Sequence, residues 1–238
     1  MTTAVLAASH GTSSPSGQVA VRRLVERVAG SLDAPVLGCH VDVEQPDVPA
    51  ALTSAAAVAD RATIVPLLLS AGYHVFVDLA DSAAAAPLPT TVAPALGPDP
   101  RLVDVLARRL AEAGMSDGDA VVLAAAGSTD ARAVADCRTT GLLLEARIHR
   151  PVTVGFISAA SPSLPQAVEQ ARDAHPGARV LVATYLLAPG YFATLAGQAG
   201  ADIVAAPLLT AESTPDALAD IVRERAAAGA AAIVPAAR

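Results

Sequence analysis

Val65-Pro66-Leu67-Leu68-Leu69-Ser70-Ala71-Gly72-Tyr73-His74 is answered 118 residues later by Ala183-Thr184-Tyr185-Leu186-Leu187-Ala188-Pro189-Gly190-Tyr191-Phe192. The shared L-L-x-x-G-Y core is the most specific piece of an internal repeat. Working outward, Val5-Leu6-Ala7-Ala8-Ser9-His10-Gly11-Thr12 returns as Val122-Leu123-Ala124-Ala125-Ala126-Gly127-Ser128. Gln45-Pro46-Asp47-Val48-Pro49 returns as Ser161-Pro162-Ser163-Leu164-Pro165, and Arg101–Leu106 matches Ala217–Val222. Two homologous modules, 1–115 and 116–238, are therefore expected to join near Gly114-Met115-Ser116-Asp117-Gly118, a segment with linker composition.

Within each module short apolar runs alternate with helical spacing. Thr3 to Ala8 reads as a buried parallel strand ending in a Gly/Ser turn. Ser14-Pro15 offers an N-cap and a first-turn proline; Val21, Leu24, Val25 and Val28 follow at i, i+3, i+4 and i+7, and Gly30 is the stop. Further strands are expected at 36–43, 63–69 and 91–96, and helices at 49–59 and 99–113. The fold class is α/β: two tandem, similar parallel-sheet βαβ modules with right-handed crossovers.

Composition narrows the chemistry. All 16 basic residues of the 238 are arginine, which excludes lysine Schiff-base enzymes and Walker-type phosphate loops. A net charge of −7, with three Tyr, three Phe and no Trp, argues against nucleic acid. Cys39 and Cys137 lie far apart with no C-x-x-C spacing and read as core thiols. The apolar run Val180–Ala201 is interrupted by Pro189-Gly190, so no membrane span is expected. With no export signal visible, the cytoplasm is the expected compartment.

In open α/β sheets chemistry gathers beyond the carboxyl ends of the strands. There the first strand delivers Ser9-His10-Gly11-Thr12-Ser13-Ser14, the second Asp42 and Glu44, and the third Ser70 to His74. Two imidazoles converging with a carboxylate suit a divalent metal. His40, His149 and His175 have no such setting and read as surface or structural residues.

His-Gly-Thr after the first strand, a carboxylate four residues before Pro46 and V-P-L-L-L-x-x-G-x-H-x-x-x-D together resemble the sirohydrochlorin chelatases, across nearly the whole chain. The resemblance implies ATP-independent insertion of Co²⁺ or Fe²⁺ into sirohydrochlorin, for siroheme or cobalamin synthesis, with the metal as substrate and no nucleotide. It implies His10 and His74 as the metal-binding and proton-handling pair. Asp42 falls where the family often has a metal-binding glutamate, and Asp78 falls on the family's aspartate or else caps a helix. The second module keeps the scaffold but not the site, with Ala126, Ser158 and Phe192 replacing His10, Asp42 and His74. It is expected to wall the macrocycle, Phe192 lying against the ring and Gly127 and Ser128, with Thr12 and Ser13 opposite, offering donors to its carboxylates. Arg132 and Arg138 are candidates for the same anions.

Two other readings stay open. Ser9-His10-Gly11-Thr12 also resembles the R-H-G-x-T/S loop of histidine phosphatases, although Ser9 stands where that loop needs an arginine. A non-catalytic carrier of metal or tetrapyrrole could use the same ligands. Oligomeric state is not legible in the sequence.

Overall fold

The computed structural model describes residues 1–70 and 72–232, residues 73–76 in backbone only. The N-terminal module runs β1 (Thr3–Ser9), α1 (Pro15–Ala29), β2 (Val36–His40), α2 (Val48–Ala56), β3 (Arg61–Pro66), α3 (Tyr73–Ala84), β4 (Thr90–Val92) and α4 (Pro100–Glu112). The C-terminal module repeats the order with β5 (Ala120–Ala125), α5 (Ala131–Ile148), β6 (Val152–Phe156), α6 (Leu164–Ala174), β7 (Val180–Tyr185), α7 (Tyr191–Gly197), β8 (Ile203–Val204) and α8 (Asp216–Ala232). The sheets are four-stranded and wholly parallel, in the orders β2-β1-β3-β4 and β6-β5-β7-β8.

Local chemistry sets the element ends. Ser14 caps α1, its hydroxyl accepting from Gly17 N–H with Pro15 in the first turn, as the sequence predicts; such a cap contributes about 1 kcal/mol. Asp47, Asp99, Asp130 and Ser163 do the same for α2, α4, α5 and α6. The central strands β1, β5 and β7 are buried almost throughout, as parallel strands covered on both faces must be. Several strands are shorter than their apolar runs suggest. β3 ends at Pro66 and β2 at His40, because the apolar residues beyond them, such as Leu67 and Leu69, pack as loop into the core. Helix α3 begins at Tyr73, so position 74 belongs to a helix rather than to a strand end. Asp78 is exposed midway along α3, where it caps neither end.

The run Val180–Ala201 divides into β7, a loop and α7, and no helix among the described residues is long and apolar enough to cross a membrane.

The closing helices cross between modules. α8 lies on the N-terminal sheet, where Gly229 meets Thr63 so closely that a Cβ would sit 2.3 Å from its Cγ2. The Gly229 carbonyl accepts from Thr91 Oγ1 at 3.0 Å, and Arg225 Nε donates to Ala95 O at 3.1 Å. In return α4 packs against the C-terminal half: Arg109, only 5% exposed, donates to the carbonyls of Pro207 and Leu208. Helices α1, α4, α5 and α8 thus share one core between the two sheets, continuous from Val5 and Leu106 to Leu123 and Ile221. Smaller cores close the outer faces under α2 and α3 and under α6.

Candidate functional site

Each sheet order places its switch point between the first and third strands of the module, where a crevice opens at the carboxyl ends. The two crevices face one another across a single cavity of about 700 Å³, within the range typical of ligand pockets, about 300–1,000 Å³. The N-terminal module contributes residues 9–13, Val21, Val43, 67–70 and Gly72 to its wall. The C-terminal module contributes 126–129, Cys137, Ser158, Ala159 and 185–193.

Of the residues expected from sequence, the fold brings His10, Thr12, Ser13, Gly127, Ser128 and Phe192 onto this one wall. His10 is exposed at the end of β1, its carbonyl accepting from Asp42 N–H at 2.9 Å. The next residue, Gly11, has φ +94°, and a Cβ there would stand 2.0 Å from the Asp42 carbonyl oxygen. Only glycine fits that approach, which fastens the β1 turn to the β2 turn. Gly127 repeats the arrangement, with φ +89° and the Ser158 carbonyl 1.8 Å from a notional Cβ. The His74 side chain lies outside the described residues.

The β2 turn separates its two carboxylates. Glu44 N–H donates to the Asp42 carbonyl at 2.7 Å across Val43, which sits at φ 65°. For a β-branched residue that is a strained conformation, at a cost of about 1–3 kcal/mol. The tight turn leaves Asp42 exposed, its Oδ1 accepting from Val43 N–H at 2.8 Å, outside the residues that line the cavity. Glu44 turns inward instead: its Oε1 accepts Thr12 N–H at 2.8 Å and lies 3.7 Å from His40 Nδ1.

His40 is likewise no surface residue. It pairs in register with Ser9, and its Nδ1 stands 2.8 Å from Ser9 Oγ, which lines the cavity and is 3% exposed. Serine and glutamate meet the same ring nitrogen, so this is not a nucleophile triad, in which base and orienter use opposite nitrogens. The alternation of side chains along β2 was the available signal, since it sends position 40 to the face that carries Ser9.

The arginine expectation is corrected. Neither Arg132 nor Arg138 lines the cavity: Arg132 pairs with Asp130 at 3.0 Å, and Arg138 reaches the Ser161 carbonyl at 3.5 Å. Besides His10, the wall carries hydroxyls, among them Ser9, Thr12, Ser70, Ser128, Thr129 and Ser158. Cys137 also lines it, and burial pushes its thiol up to about 11. At neutral pH and with no ion beside it, the group is therefore protonated. Among the described residues, no group of three or more His, Cys, Asp or Glu side chains is arranged to hold a metal ion.

The sequence model of the CbiX family matches residues 4–113 and again residues 120–227. SirB from Bacillus subtilis, solved with Fe³⁺, is similar over 98% of this chain and 99% of its own, at 20% identity and a TM-score of 0.80. The sirohydrochlorin chelatase SirB from Bacillus subtilis subspecies spizizenii, in complex with cobalt, is similar over 97% and 96% at 18% identity, with a TM-score of 0.75. A multi-domain protein from Deinococcus radiodurans with structural similarity to chelatases matches 95% of this chain and 54% of its own, at 20% identity and a TM-score of 0.66. At such identities the likeness is one of fold. No curated protein sequence matches.

Proposed function

This chain belongs to the CbiX family, and from that premise we propose that it is a sirohydrochlorin chelatase, inserting Co²⁺ or Fe²⁺ into the macrocycle without a nucleotide. The observation that carries the reading is the cavity at the facing switch points, with His10 on its N-terminal wall and an apolar, hydroxyl-studded wall opposite.

Insertion requires that water be stripped from the ion and that two pyrrolic protons leave the ring. His10 and His74 are the proposed ligands and proton acceptors, since a neutral imidazole can do either near pH 7. Asp42 is proposed as the oxygen donor at the rim, held beside His10 by the backbone bond between them. Phe192 and Tyr191 supply aromatic surface for the ring, their centroids 6.2 Å apart and tilted by 45°. The substrate's carboxylates would meet Thr12, Ser13, Ser128 and the Gly127 turn. Hydroxyls and backbone N–H groups, rather than arginines, then offset the repulsion from an acidic protein.

An anaerobic assay with sirohydrochlorin, comparing Co²⁺ with Fe²⁺ and following the metallated absorption band, tests substrate and metal together. More than one product per protein is expected, whereas a carrier would stop at one. The phosphatase reading gains nothing from the structure, because Ser9 is buried on His40 and no arginine among the described residues lines the cavity. Hydrolysis of a generic phosphoester insensitive to chelator would reverse that judgement.

A further inference from the structure

The loop between β3 and α3 forms part of the cavity wall, and it is held differently from its counterpart in the other module. In the C-terminal module the two carbonyls following β7 are satisfied from within: Leu208 N–H donates to Leu186 O at 3.1 Å and Leu209 N–H to Leu187 O at 2.8 Å. In the N-terminal module Leu96 N–H donates to Leu68 O at 2.7 Å. The next carbonyl, that of Leu69, takes its hydrogen bond from across the interface instead, from the Tyr185 hydroxyl at 2.9 Å. One residue further, Ser70 lies beside Cys137 of α5 on the cavity wall.

This contact is built into the surrounding backbone. Tyr185 ends β7, is 2% exposed and packs in the shared core. A Cβ on Gly97 would fall 2.2 Å from the tyrosine oxygen and 2.6 Å from Leu69 O, so the turn before α4 closes around this single hydrogen bond. The reciprocal contact cannot form, because strand register makes Leu67 the counterpart of Tyr185 and leucine carries no hydroxyl. An intact second module that lacks the histidines thus still reaches the first module's site.

We infer that Tyr185 is a positioning residue: its hydroxyl lets the C-terminal module set the Leu67–Ser70 wall of the cavity, the approach to His74, for the metal chemistry proposed above. The inference rests on that reading for its consequence in catalysis, and on the hydrogen bond for its structure. It assigns the second module a part in insertion beyond covering the ring.

Tyr185→Phe in the full chain removes the oxygen and keeps the ring. Amide exchange in peptides covering 66–72 is expected to accelerate at least tenfold, with peptides from β1 and β5 unchanged. The kcat for insertion should fall about 10–100-fold, as when a group orienting a metal ligand is removed, with KM for sirohydrochlorin within twofold. Gly97→Ala, which crowds the same bond from the other side, should reproduce the split. Unchanged exchange at 66–72, exchange accelerated equally throughout, or a variant that does not fold would each overturn the positioning role. If the wild-type chain inserts no metal while Tyr185→Phe loosens only this loop, the positioning stands and the chelatase reading falls. If the wild type inserts metal and the variant matches its kcat, the reverse holds.

Discussion

At the carboxyl edge of the N-terminal sheet stand Ser9, His10, His40, Asp42 and Glu44. At the same register positions of the C-terminal sheet stand Ala125, Ala126, Phe156, Ser158 and Ala160. The backbone between these residues is nonetheless the same. Gly11 and Gly127 both approach the carbonyl of the opposite turn, Val43 and Ala159 both take positive φ, and Thr12 and Ser128 accept from the backbone two residues on. The turns are kept because packing of one strand end against the next requires them. The polar side chains differ between the copies while the turns do not, so the course of the backbone does not depend on them. What remains polar in one copy alone is therefore the best guide to chemistry.

The largest test of that division is the histidine itself. His10→Ala should lose about 10²–10⁴ in insertion rate, the usual cost of removing a general base, while circular dichroism stays unchanged because His10 is exposed. His74→Ala should lose as much. Adding Ala126→His to the His10→Ala chain should restore nothing; recovery there would show that either crevice can hold the metal and would break the comparison. A smaller effect is expected at the paired turns. Asp42→Asn should weaken Co²⁺ binding about 10–100-fold, Asp42→Glu should retain it, and Ser158→Ala should shift it less than twofold, all measured by titration of the protein with metal alone. If Asp42→Asn is harmless and Glu44→Gln is not, the inward carboxylate is the ligand.

Phe192→Ala sharpens the contrast further. It should raise the apparent KM for sirohydrochlorin about tenfold with kcat little changed, the pattern of lost uniform binding. A collapsed kcat with intact KM would move chemistry into the C-terminal module.

The smallest effect concerns stability. Arg179 hydrogen-bonds Asp119 at 2.9 and 2.7 Å and holds its carboxyl well below the usual carboxylate range. In the N-terminal module the matching Arg61 faces the Met1 sulfur instead. A carboxylate whose pKa is lowered by folding stabilises the fold above its unfolded value, about 4, and that contribution fades as pH falls through the folded value. Asp119→Asn should therefore be less stable than wild type in urea at pH 6, the gap closing as the pH drops below about 4. A gap constant from pH 6 to pH 3 would mean the pair contributes nothing through its charge.

Much of this was legible in the residues. The repeat, the parallel strands and the Ser14 and Asp99 ends of α1 and α4 follow from period and position, and the family resemblance picked out His10, Thr12, Ser13, Gly127, Ser128 and Phe192, which the fold gathers on one cavity. Strand lengths did not, because a buried loop such as Leu67–Leu69 is as apolar as a strand. The exposed Asp42 and inward Glu44 were likewise hidden, since a left-handed residue at Val43 reverses the direction that simple alternation assigns.

The sequence by itself determined that there are two parallel α/β modules and that only the first retains histidines at its carboxyl edge. Hydrophobic periodicity and repeat offsets record these directly. Only the tertiary structure decided that α4 and α8 exchange modules, that His40 meets Ser9, that no arginine among the described residues lines the cavity, and that Tyr185 reaches Leu69 across the interface. The physical reason is that an apolar stripe shows that a face is buried without showing against what. A hydroxyl such as that of Tyr185 acquires its meaning only from the carbonyl that packing brings within 3 Å of it.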